Sequence, residues 1–377
     1  MTIDIGLIRY SWSLVEPVAG KLAMHFYGRL FANYPHIREM FPPAMDMQRD
    51  RLLQALTQVV LNLEDGEGLS DYLGTLARDH RKYGVRPEHY PAVGSCLVAA
   101  MRYHAQGAWL PAYDDAWMTA YNFIAEVMIQ AAEQDAAQTP PAWVGTVVSH
   151  EVRTPEVAVI TVAPDQPYPF RAGQYATLQS AHWPRVWRSY SIANAPREDN
   201  LLSFHVRMVS GGWVSTALMH HTRPGDSLLL GPPRGSLVLD RASSSHLVFI
   251  AGGTGLAPLK ALIEESVWVP DRPAIDLFHG VRRSADAYDN EDLQRLRAQH
   301  RRLRIVQTVS DEPQQRPRHN AVDALDYHRI IPRGDVFVCG STEMVRVTTA
   351  RLVAMGVPYE RIHTEFAPGG APTLARL

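Results

Sequence analysis

The sequence predicts a multidomain protein: an all-α part, then a small antiparallel β-barrel, then an α/β part built on a parallel sheet. Three patterns lead to this prediction. Apolar residues recur every fourth position in the first part, short alternating runs follow, and compact apolar strands then alternate with helix-like segments. The length of 377 residues agrees, because one hydrophobic core rarely serves so long a chain. We place the three parts at residues 1–136, 143–241 and 245–377.

The first part has helical spacing and almost no alternation of period two. Several predicted helices carry apolar residues four positions apart on one face. The segment AAEQDAAQTPPAW, residues 131–143, then combines small, polar and proline residues, which is typical of a linker. The first of the apolar faces consists of Leu14, Val18, Leu22, Phe26 and Leu30.

The spacing of apolar residues changes after the linker and changes again after residue 243. Segments such as VAVITVA and LSFHVRMV are short and are separated by closely spaced turn residues, which favours a small antiparallel barrel. After residue 243, strands such as LVFIAGG and LRIVQTV alternate with helix-like segments such as PLKALIEESVW. This alternation predicts a parallel sheet with helices on both faces.

Composition restricts the class of partner. The formal net charge of −2 gives no electrostatic reason to expect nucleic acid or an acidic membrane surface. No apolar run reaches the roughly 18 residues that span a bilayer, and the N-terminus MTIDIGLIRYSW does not resemble a secretion signal. The two cysteines, Cys96 and Cys339, cannot form a disulfide framework or a four-cysteine metal site. We therefore expect reduced thiols in a cytoplasmic protein.

A glycine-rich turn opens a helix in the last part. In FIAGGTGLAPLKAL, residues 249–262, three glycines let the backbone turn tightly and approach a phosphate. The start of the following helix adds N–H donors and the positive end of its dipole. The signal is weak by itself, because strand-to-helix turns use glycine without any ligand.

The barrel segment RVWRSYSIANAP, residues 185–196, carries groups suited to a ligand with a pyrophosphate and a flat ring. Arg188 and Tyr190 share one face of a strand. An arginine can hold a pyrophosphate, a tyrosine can stack on a ring, and the Ser191 hydroxyl can bond a ring nitrogen. The alternative is an exposed barrel strand of ordinary β-formers. SGGWVST, residues 210–216, offers a second glycine turn for a phosphate.

Together and in this order, these motifs resemble the ferredoxin–NADP reductase family over roughly residues 143 to 370. The resemblance implies FAD, and NADH or NADPH, as cofactors. Arg282 and Arg283 either meet a 2′-phosphate or form a solvated pair on a loop. The resemblance assigns the flavin to Tyr175, Arg188, Ser189, Tyr190, Ser191, Gly211, Gly212, Glu365 and Phe366. It assigns the nicotinamide cofactor to Gly253, Thr254, Gly255, Leu256, Ala257, Pro258, Cys339 and Gly340.

His80 is the candidate metal ligand of the helical part, within RDHRKYGVRPEHYP, residues 78–91. A lone histidine is more often a surface or satisfied residue than a ligand, and we expect His89 in the same segment to be exposed. The helical part nevertheless has the length of one globin domain. Four earlier residues complete the pattern, namely Tyr27, Phe41, Gln48 and Leu52.

This pattern resembles the globin domain of flavohemoglobins, which is fused to this type of reductase, and the resemblance covers the whole chain. It implies haem b, with the His80 imidazole as axial ligand of the iron. On the other side it places Tyr27 and Gln48 at the bound gas, where the tyrosine hydroxyl donates to oxygen as negative charge develops. By the same resemblance, three further residues pack near the haem: Phe41, Leu52 and Tyr90.

Two departures from the family pattern modify this expectation. In the family a glutamate of the last globin helix joins the proximal tyrosine and histidine, but the matching position here is Ala132, with Glu133 beside it. One residue turns a helical side chain by about 100°, so Glu133 is not aligned with Tyr90. The family often has lysine before the axial histidine, where this chain has Asp79. If Asp79 and Glu365 approach, their carboxylates repel and change the redox poise.

The sequence therefore predicts an NAD(P)H-dependent oxidoreductase of the nitric oxide dioxygenase type. Electrons pass from NAD(P)H to FAD and then to the haem, where O₂ oxidises nitric oxide to nitrate; this last step comes from the resemblance alone. The alternatives are a flavohaem oxidoreductase acting on peroxides or another small substrate, an oxygen-binding or sensing globin, and a plain flavin reductase. The candidate catalytic residues are Tyr27, Gln48, Tyr90 and Glu133.

Overall fold

The computed structural model describes residues 3–240, 246–267, 274–312, 320–328, 330 and 332–365. The chain divides into two compact units, Met1–Ala142 and Trp143–Leu377. Among the described residues, none of the helices combines the length and the apolarity that crossing a membrane requires. The predicted domain boundaries stay a prediction, and residues 241–245, around the second boundary, lie outside the described part of the chain.

The first unit is helical, as predicted. Capping residues explain where two of its helices begin, because Asp4 accepts a hydrogen bond from the N–H of Leu7 and Asp65 accepts one from Gly68, both at 3.0 Å. Proline opens the last helix at its first position, where no N–H is needed. The helices are α1 Ile5–Val15, α2 Ala19–Asn33, α3 Asp46–Leu61, α4 Gly66–Arg81, α5 Tyr90–Ala105 and α6 Pro111–Ala136.

Buried faces with the predicted spacing hold these helices together. Leu22, Phe26 and Leu30 of α2 are all buried, and α2 packs against α5 and α3. Helix α4 packs most extensively against α6. At the crossing of α5 and α6, a Cβ added to Gly94 would lie 2.5 Å from the ring of Tyr121, so only glycine permits this approach.

The second unit begins with an antiparallel barrel. Its strands have the order β4-β3-β6-β1-β2-β5, and an isolated bridge between Ile192 and Phe204 brings the β4 end back to β5, so the barrel is nearly closed. One helix, α7, follows the glycine turn. The elements are β1 Trp143–Thr154, β2 Val157–Pro164, β3 Tyr175–Ser180, β4 Arg188–Ser191, β5 Leu202–Arg207, α7 Trp213–His220 and β6 Ser227–Leu230.

A parallel sheet with helices on both faces completes the second unit. The strand order is β11-β10-β7-β8-β9. Chain order reverses between β7 and β10, so the carboxyl ends of these two strands form the crevice where such sheets bind ligands. The elements are β7 Leu247–Gly252, α8 Leu256–Ser266, β8 Ile275–Val281, α9 Asn290–Gln299, β9 Leu303–Val309, α10 Asp323–Tyr327, β10 Val336–Cys339, α11 Thr342–Ala354 and β11 Ile362–Glu365.

These strands have continuous apolar sequences because both faces of the sheet are buried. Phe249 of β7 packs in a cluster with Leu259 of α8, whereas the adjacent Ile250 packs on the opposite face with Leu352 of α11. The structure thus confirms the predicted fold class, with a helical part, an antiparallel barrel and a parallel sheet in that order.

Candidate functional site

His80 lies in the last turn of α4 and points to the inner side of that helix. Leu69, Leu73 and Ala77 are buried at intervals of four residues, and His80 follows one turn later on the same face. Its Nδ1 lies 2.7 Å from the carbonyl oxygen of Leu76. Because a carbonyl oxygen only accepts, Nδ1 carries the proton and Nε2 keeps its lone pair. Burial lowers the pKa of His80, so the ring is neutral at neutral pH, which is the form that binds a metal.

The predicted gas-binding residues lie on α2 and α3. Tyr27 is 6% exposed, and burial raises its pKa to about 12, so its hydroxyl stays protonated. This hydroxyl donates to the backbone carbonyl oxygen of Gln48 at 3.4 Å, longer than an ordinary O–H···O bond. The rings of Phe31 and Phe41 lie 5.7 and 5.6 Å from that of Tyr27 and make its surroundings apolar.

A porphyrin fits this unit because apolar side chains along α3 are only partly covered. Val59 and Val60 are buried, whereas Leu52 and Leu56 pack partly against the core. A large apolar ring would cover these side chains, and His80 would supply a neutral imidazole nitrogen to its iron. The donor set and its surroundings therefore fit a haem.

The two α6 residues that bear on the expected hydrogen-bonded relay lie in different surroundings. Tyr90 packs in a cluster that includes Ala132 of α6, while the neighbouring Glu133 is exposed. A catalytic role of Glu133 stays a prediction. The expectation that His89 is exposed is wrong: the residue is 7% exposed, and its Nδ1 accepts a hydrogen bond from the N–H of Arg86 at 3.1 Å. The short 3-10 turn at Pro87–His89 folds the ring inward.

The predicted flavin motif lies on β4, paired with β3. Tyr175 is opposite Ser191, and Thr177 is opposite Ser189, which brings the two parts of the motif together. Burial raises the pKa of Tyr190, and the Arg188 guanidinium donates to the Trp187 carbonyl oxygen at 2.9 Å.

The second glycine turn forms a close-fitting bend before α7. Gly211 has φ +71°, a conformation that favours glycine. A Cβ on Gly212 would lie 2.7 Å from Ser215 Oγ and 2.9 Å from the Val209 carbonyl oxygen. Both predicted glycines are therefore required by the backbone, and the bend leads into a helix start whose N–H groups suit a phosphate.

Glu365 lies at the end of β11, next to the barrel. A Cβ on Gly235 would be 2.3 Å from Glu365 Oε1 and 3.2 Å from the Tyr175 ring. Both carboxyl oxygens are buried without a hydrogen-bond partner among the described residues. Burial raises the pKa of Glu365 to about 8, so the group is mostly protonated at neutral pH. A buried, unpartnered carboxyl group beside Tyr175 fits a flavin, whose ring nitrogens and oxygens can bond it. Phe366, assigned to the same place, lies outside the described residues.

Protonation of Glu365 also affects the expected repulsion with Asp79. The Asp79 carboxylate accepts a hydrogen bond from Lys82 Nζ at 2.9 Å and so has a cationic partner. If the two groups approach, a protonated Glu365 and a paired Asp79 repel each other less than two ionised carboxylates would. This weakens the electrostatic reason for an altered redox poise.

The dinucleotide motif lies at the crevice between β7 and β10. Gly253 has φ +52°, and a Cβ on Gly255 would be 2.3 Å from the Cys339 carbonyl oxygen and 2.7 Å from Gly340 N. Glycine at 255 is thus required for the two loops to meet. Burial raises the pKa of the Cys339 thiol, which stays protonated at neutral pH. The remaining residues assigned to this motif, at the turn and the start of α8, are Thr254, Leu256, Ala257 and Pro258.

Two charged groups near this crevice bear on the choice of dinucleotide. Arg282 lies 3.6 Å from Glu156, and Arg283 lies 3.3 Å from Asp286. A 2′-phosphate at either arginine would therefore lie close to a carboxylate that already pairs with it. Arg207 of β5, which the motifs did not indicate, reaches the glycine turn from the barrel, with its guanidinium 3.8 Å from the Cβ position of Gly253.

Known families match each part of the chain. The Globin family matches residues 24–128, the Oxidoreductase FAD-binding domain 144–239, and the Oxidoreductase NAD-binding domain 249–350. A flavohemoprotein of Bordetella pertussis (strain Tohama I) is 28% identical over 97% of this chain and 98% of that protein.

Two solved structures share the fold. Flavohemoglobin from Malassezia yamatoensis, with bound FAD and heme, has a TM-score of 0.79 over 97% of this chain and 99% of its own, at 18% identity. The flavohem-like FAD/NAD-binding domain of nitric oxide dioxygenase from Vibrio cholerae O1 biovar El Tor has a TM-score of 0.50 over 59% of this chain and 98% of its own, at 19% identity.

These matches define the class of protein, an NAD(P)H-dependent oxidoreductase whose cofactors are haem, FAD and a nicotinamide dinucleotide. The globin precedes the flavin barrel and the dinucleotide domain in a single polypeptide, and the relatives match along nearly the whole length. The chain belongs to the flavohemoglobin family.

Proposed function

We propose that this flavohemoglobin is a nitric oxide dioxygenase that uses NAD(P)H and O₂ to convert nitric oxide into nitrate. The observation that carries the proposal is the Tyr27 hydroxyl, which is buried and protonated, lies 3.4 Å from the Gln48 carbonyl oxygen and is also hydrogen-bonded with the Gln48 side chain. A donor of this kind can turn to an oxygen ligand that gains negative charge. The two reduced, buried cysteines, Cys96 and Cys339, agree with a cytoplasmic location, which we also propose.

When bound, the haem and FAD supply the redox chemistry, namely hydride acceptance, single-electron transfer and gas binding. The residues of the chain bind and orient these cofactors. His80 would hold the iron through Nε2, because its Nδ1–H is directed to the Leu76 carbonyl. Arg188 and the bend at Gly211 and Gly212 would hold the flavin's pyrophosphate, and the turn at Gly253 would hold that of the dinucleotide.

The partner of His80 favours oxygen chemistry over peroxide cleavage. A carbonyl oxygen is a weaker acceptor than a carboxylate, so the Leu76 bond makes the imidazole less anionic than a glutamate relay would. Ala132 occupies the place where such a relay would end. We therefore rank the peroxide-reducing alternative below the dioxygenase.

Tyr27 and its neighbours would form the surroundings of the bound gas. The rings of Phe31 and Phe41 pack against the Tyr27 ring, and such apolar surroundings strengthen a hydrogen bond that its hydroxyl forms. Near the flavin, Glu365 would remain protonated and could hold or release a proton at its carboxyl group.

The test is nitric oxide consumption and nitrate formation by protein loaded with haem and FAD, with NADH and with NADPH. We expect rapid consumption that needs O₂, and a loss of about tenfold or more in Tyr27→Phe, because one oriented donor is removed. Tyr10→Phe is the control, since Tyr10 is 59% exposed on α1. A fully loaded sample that consumes no nitric oxide removes the assignment.

A further inference from the structure

His279 is a buried histidine on β8 whose ring touches the glycine turn of the dinucleotide site. Its side chain is 1% exposed, and Nε2 lies 3.1 Å from the carbonyl oxygen of Gly253. Because that oxygen only accepts, Nε2 carries the proton and donates it. Burial lowers the pKa of His279 to about 4, so this neutral form is present at neutral pH.

The carbonyl held by His279 belongs to the peptide that joins Gly253 and Thr254. The same oxygen accepts the N–H of Leu256 at the start of α8. In a trans peptide the C=O and the N–H point in opposite directions. With the oxygen bonded to β8, the N–H of Thr254 is therefore directed away from β8, to the other side of the turn.

We propose that His279 is a positioning residue for the dinucleotide: its bond to Gly253 orients the Gly253–Thr254 peptide so that the Thr254 N–H is offered to the cofactor's phosphates. Glycine at 253, with φ +52°, lacks the Cβ that would restrict rotation of this peptide. The opposite orientation would turn a carbonyl oxygen toward the phosphates, which repels them. The imidazole selects the orientation that binds an anion.

The His279 ring packs edge-on against Tyr288, and buried polar contacts hold the residues around it. His205 of β5 lies with Nδ1 2.7 Å from the Tyr288 hydroxyl, and the rings of Tyr288 and His279 are 6.3 Å apart. Lys260 of α8 donates to Asp289 at 2.8 Å in the same interior region. These contacts fix α8 and the segment after β8, so His279 acts from a rigid support.

Two substitutions of His279 distinguish the effect of its N–H donor from the effect of its side-chain volume. His279→Leu stays apolar and cannot donate, whereas His279→Gln keeps an N–H donor. On full-length, FAD-loaded protein, we expect the Kd of ADP-ribose, measured by titration calorimetry, to rise about tenfold in His279→Leu. In His279→Gln it should stay within about threefold of the original protein. With ferricyanide as acceptor, the change should appear in the KM for NADH rather than in kcat.

A purely structural role makes a different prediction, in which both variants lose ADP-ribose affinity in proportion to their loss of thermal stability. Tm and FAD content are therefore measured for each. An unchanged Kd in His279→Leu, or equal losses in both variants, overturns the proposal.

One measurement does not depend on how the His279 variants fold. In protein with ¹⁵N-labelled threonine, the Thr254 amide resonance, assigned through Thr254→Ser, should shift when ADP-ribose is added. A Thr254 resonance that does not move contradicts the proposed orientation.

Discussion

Tyr27, His80 and Glu365 show how burial sets the protonation of single residues in this chain. Burial raises the pKa of Tyr27 to about 12 and that of Glu365 to about 8, and it lowers the pKa of His80. In each case the low-polarity surroundings disfavour the charged form. At neutral pH, Tyr27 is therefore a protonated donor, His80 is a neutral candidate ligand for iron, and Glu365 is a protonated carboxyl group beside the barrel.

For Glu365 this predicts a pH-dependent stability. The folded protein holds a proton that the unfolded chain releases near the usual pKa of 4.5, so stability falls as pH rises from there through about 8. One pKa unit corresponds to about 1.4 kcal/mol, so the loss amounts to a few kcal/mol. Glu365→Gln should abolish this part of the pH dependence, as measured by the thermal unfolding midpoint of FAD-loaded protein between about pH 5 and pH 9.

The control for this prediction is Glu360→Gln, because Glu360 is exposed at the start of the last turn before β11. Its stability curve should follow that of the original protein at every pH. Parallel curves for the original protein and Glu365→Gln would contradict the raised pKa.

Helix ends matter at the scale of elements, because α4 carries the candidate iron ligand in its last turn. Arg81, the residue after His80, pairs with the Asp135 carboxylate at the end of α6. The same guanidinium donates to the Thr139 carbonyl oxygen at 2.7 Å and to its hydroxyl at 3.1 Å. Side-chain exposures of 10% for Arg81 and 18% for Asp135 make this pair largely buried. It fastens the end of α4 to α6 and to the segment that leads out of the helical unit.

Replacing Arg81 with methionine should loosen this attachment. The Asp135 carboxylate would remain buried without its partner, which costs about 3 kcal/mol in comparable cases. We expect lower stability to denaturant and faster transfer of haem to an acceptor globin, because the turn that holds His80 frays.

Two further variants test the cause of that effect. Arg78→Met removes a charge from the same helix, but the bond of Arg78 within the described part of the chain is to Thr75 one turn earlier, so little change is expected. Adding Asp135→Asn to Arg81→Met should restore part of the stability. Equal haem transfer rates in Arg81→Met and Arg78→Met would show that the pair does not support the site.

The two units have separate hydrophobic cores. The helical unit has its own buried clusters, the barrel has another, and the parallel sheet has one on each face, of which one also includes barrel residues such as Val157 and Ala172. The chain divides into compact units at Ala142 and Trp143. Each unit can therefore keep its structure when the ligand of the other is lost.

This independence predicts the behaviour of His80→Ala. The variant should lose haem or its normal absorption spectrum, since the neutral Nε2 donor is gone. It should keep its FAD and its NAD(P)H oxidation with artificial acceptors, because those residues lie in the other unit. Flavin content, the haem spectrum and ferricyanide reduction are the three measurements. An unaltered haem spectrum would mean that another residue holds the iron.

Local sequence patterns predicted most of the fold and the glycine turns at the candidate sites. The spacing of Leu22, Phe26 and Leu30 was enough for α2, because one face of a helix must be buried. The glycines at 253 and 255 were recognisable from their place between an apolar strand and a helix, and the structure accounts for them: Gly253 has φ +52°, and a Cβ on Gly255 would lie 2.3 Å from the Cys339 carbonyl oxygen. His279 and Arg207 were missed, since their partners are distant in sequence. A polar residue within the apolar strand IDLFHGV was the only available signal for His279.

By itself, the sequence determined the order of the three parts and the place of the glycine turns, because these depend on periodicity and on local backbone geometry. The cofactor class followed from the resemblance of the motifs to known families. Only the tertiary structure decided that His89 is buried, that Glu133 is exposed while Ala132 packs with Tyr90, and that Glu365 holds a proton. The reason is physical: burial and protonation depend on which distant segments surround a side chain, and that surrounding exists only once the chain has folded.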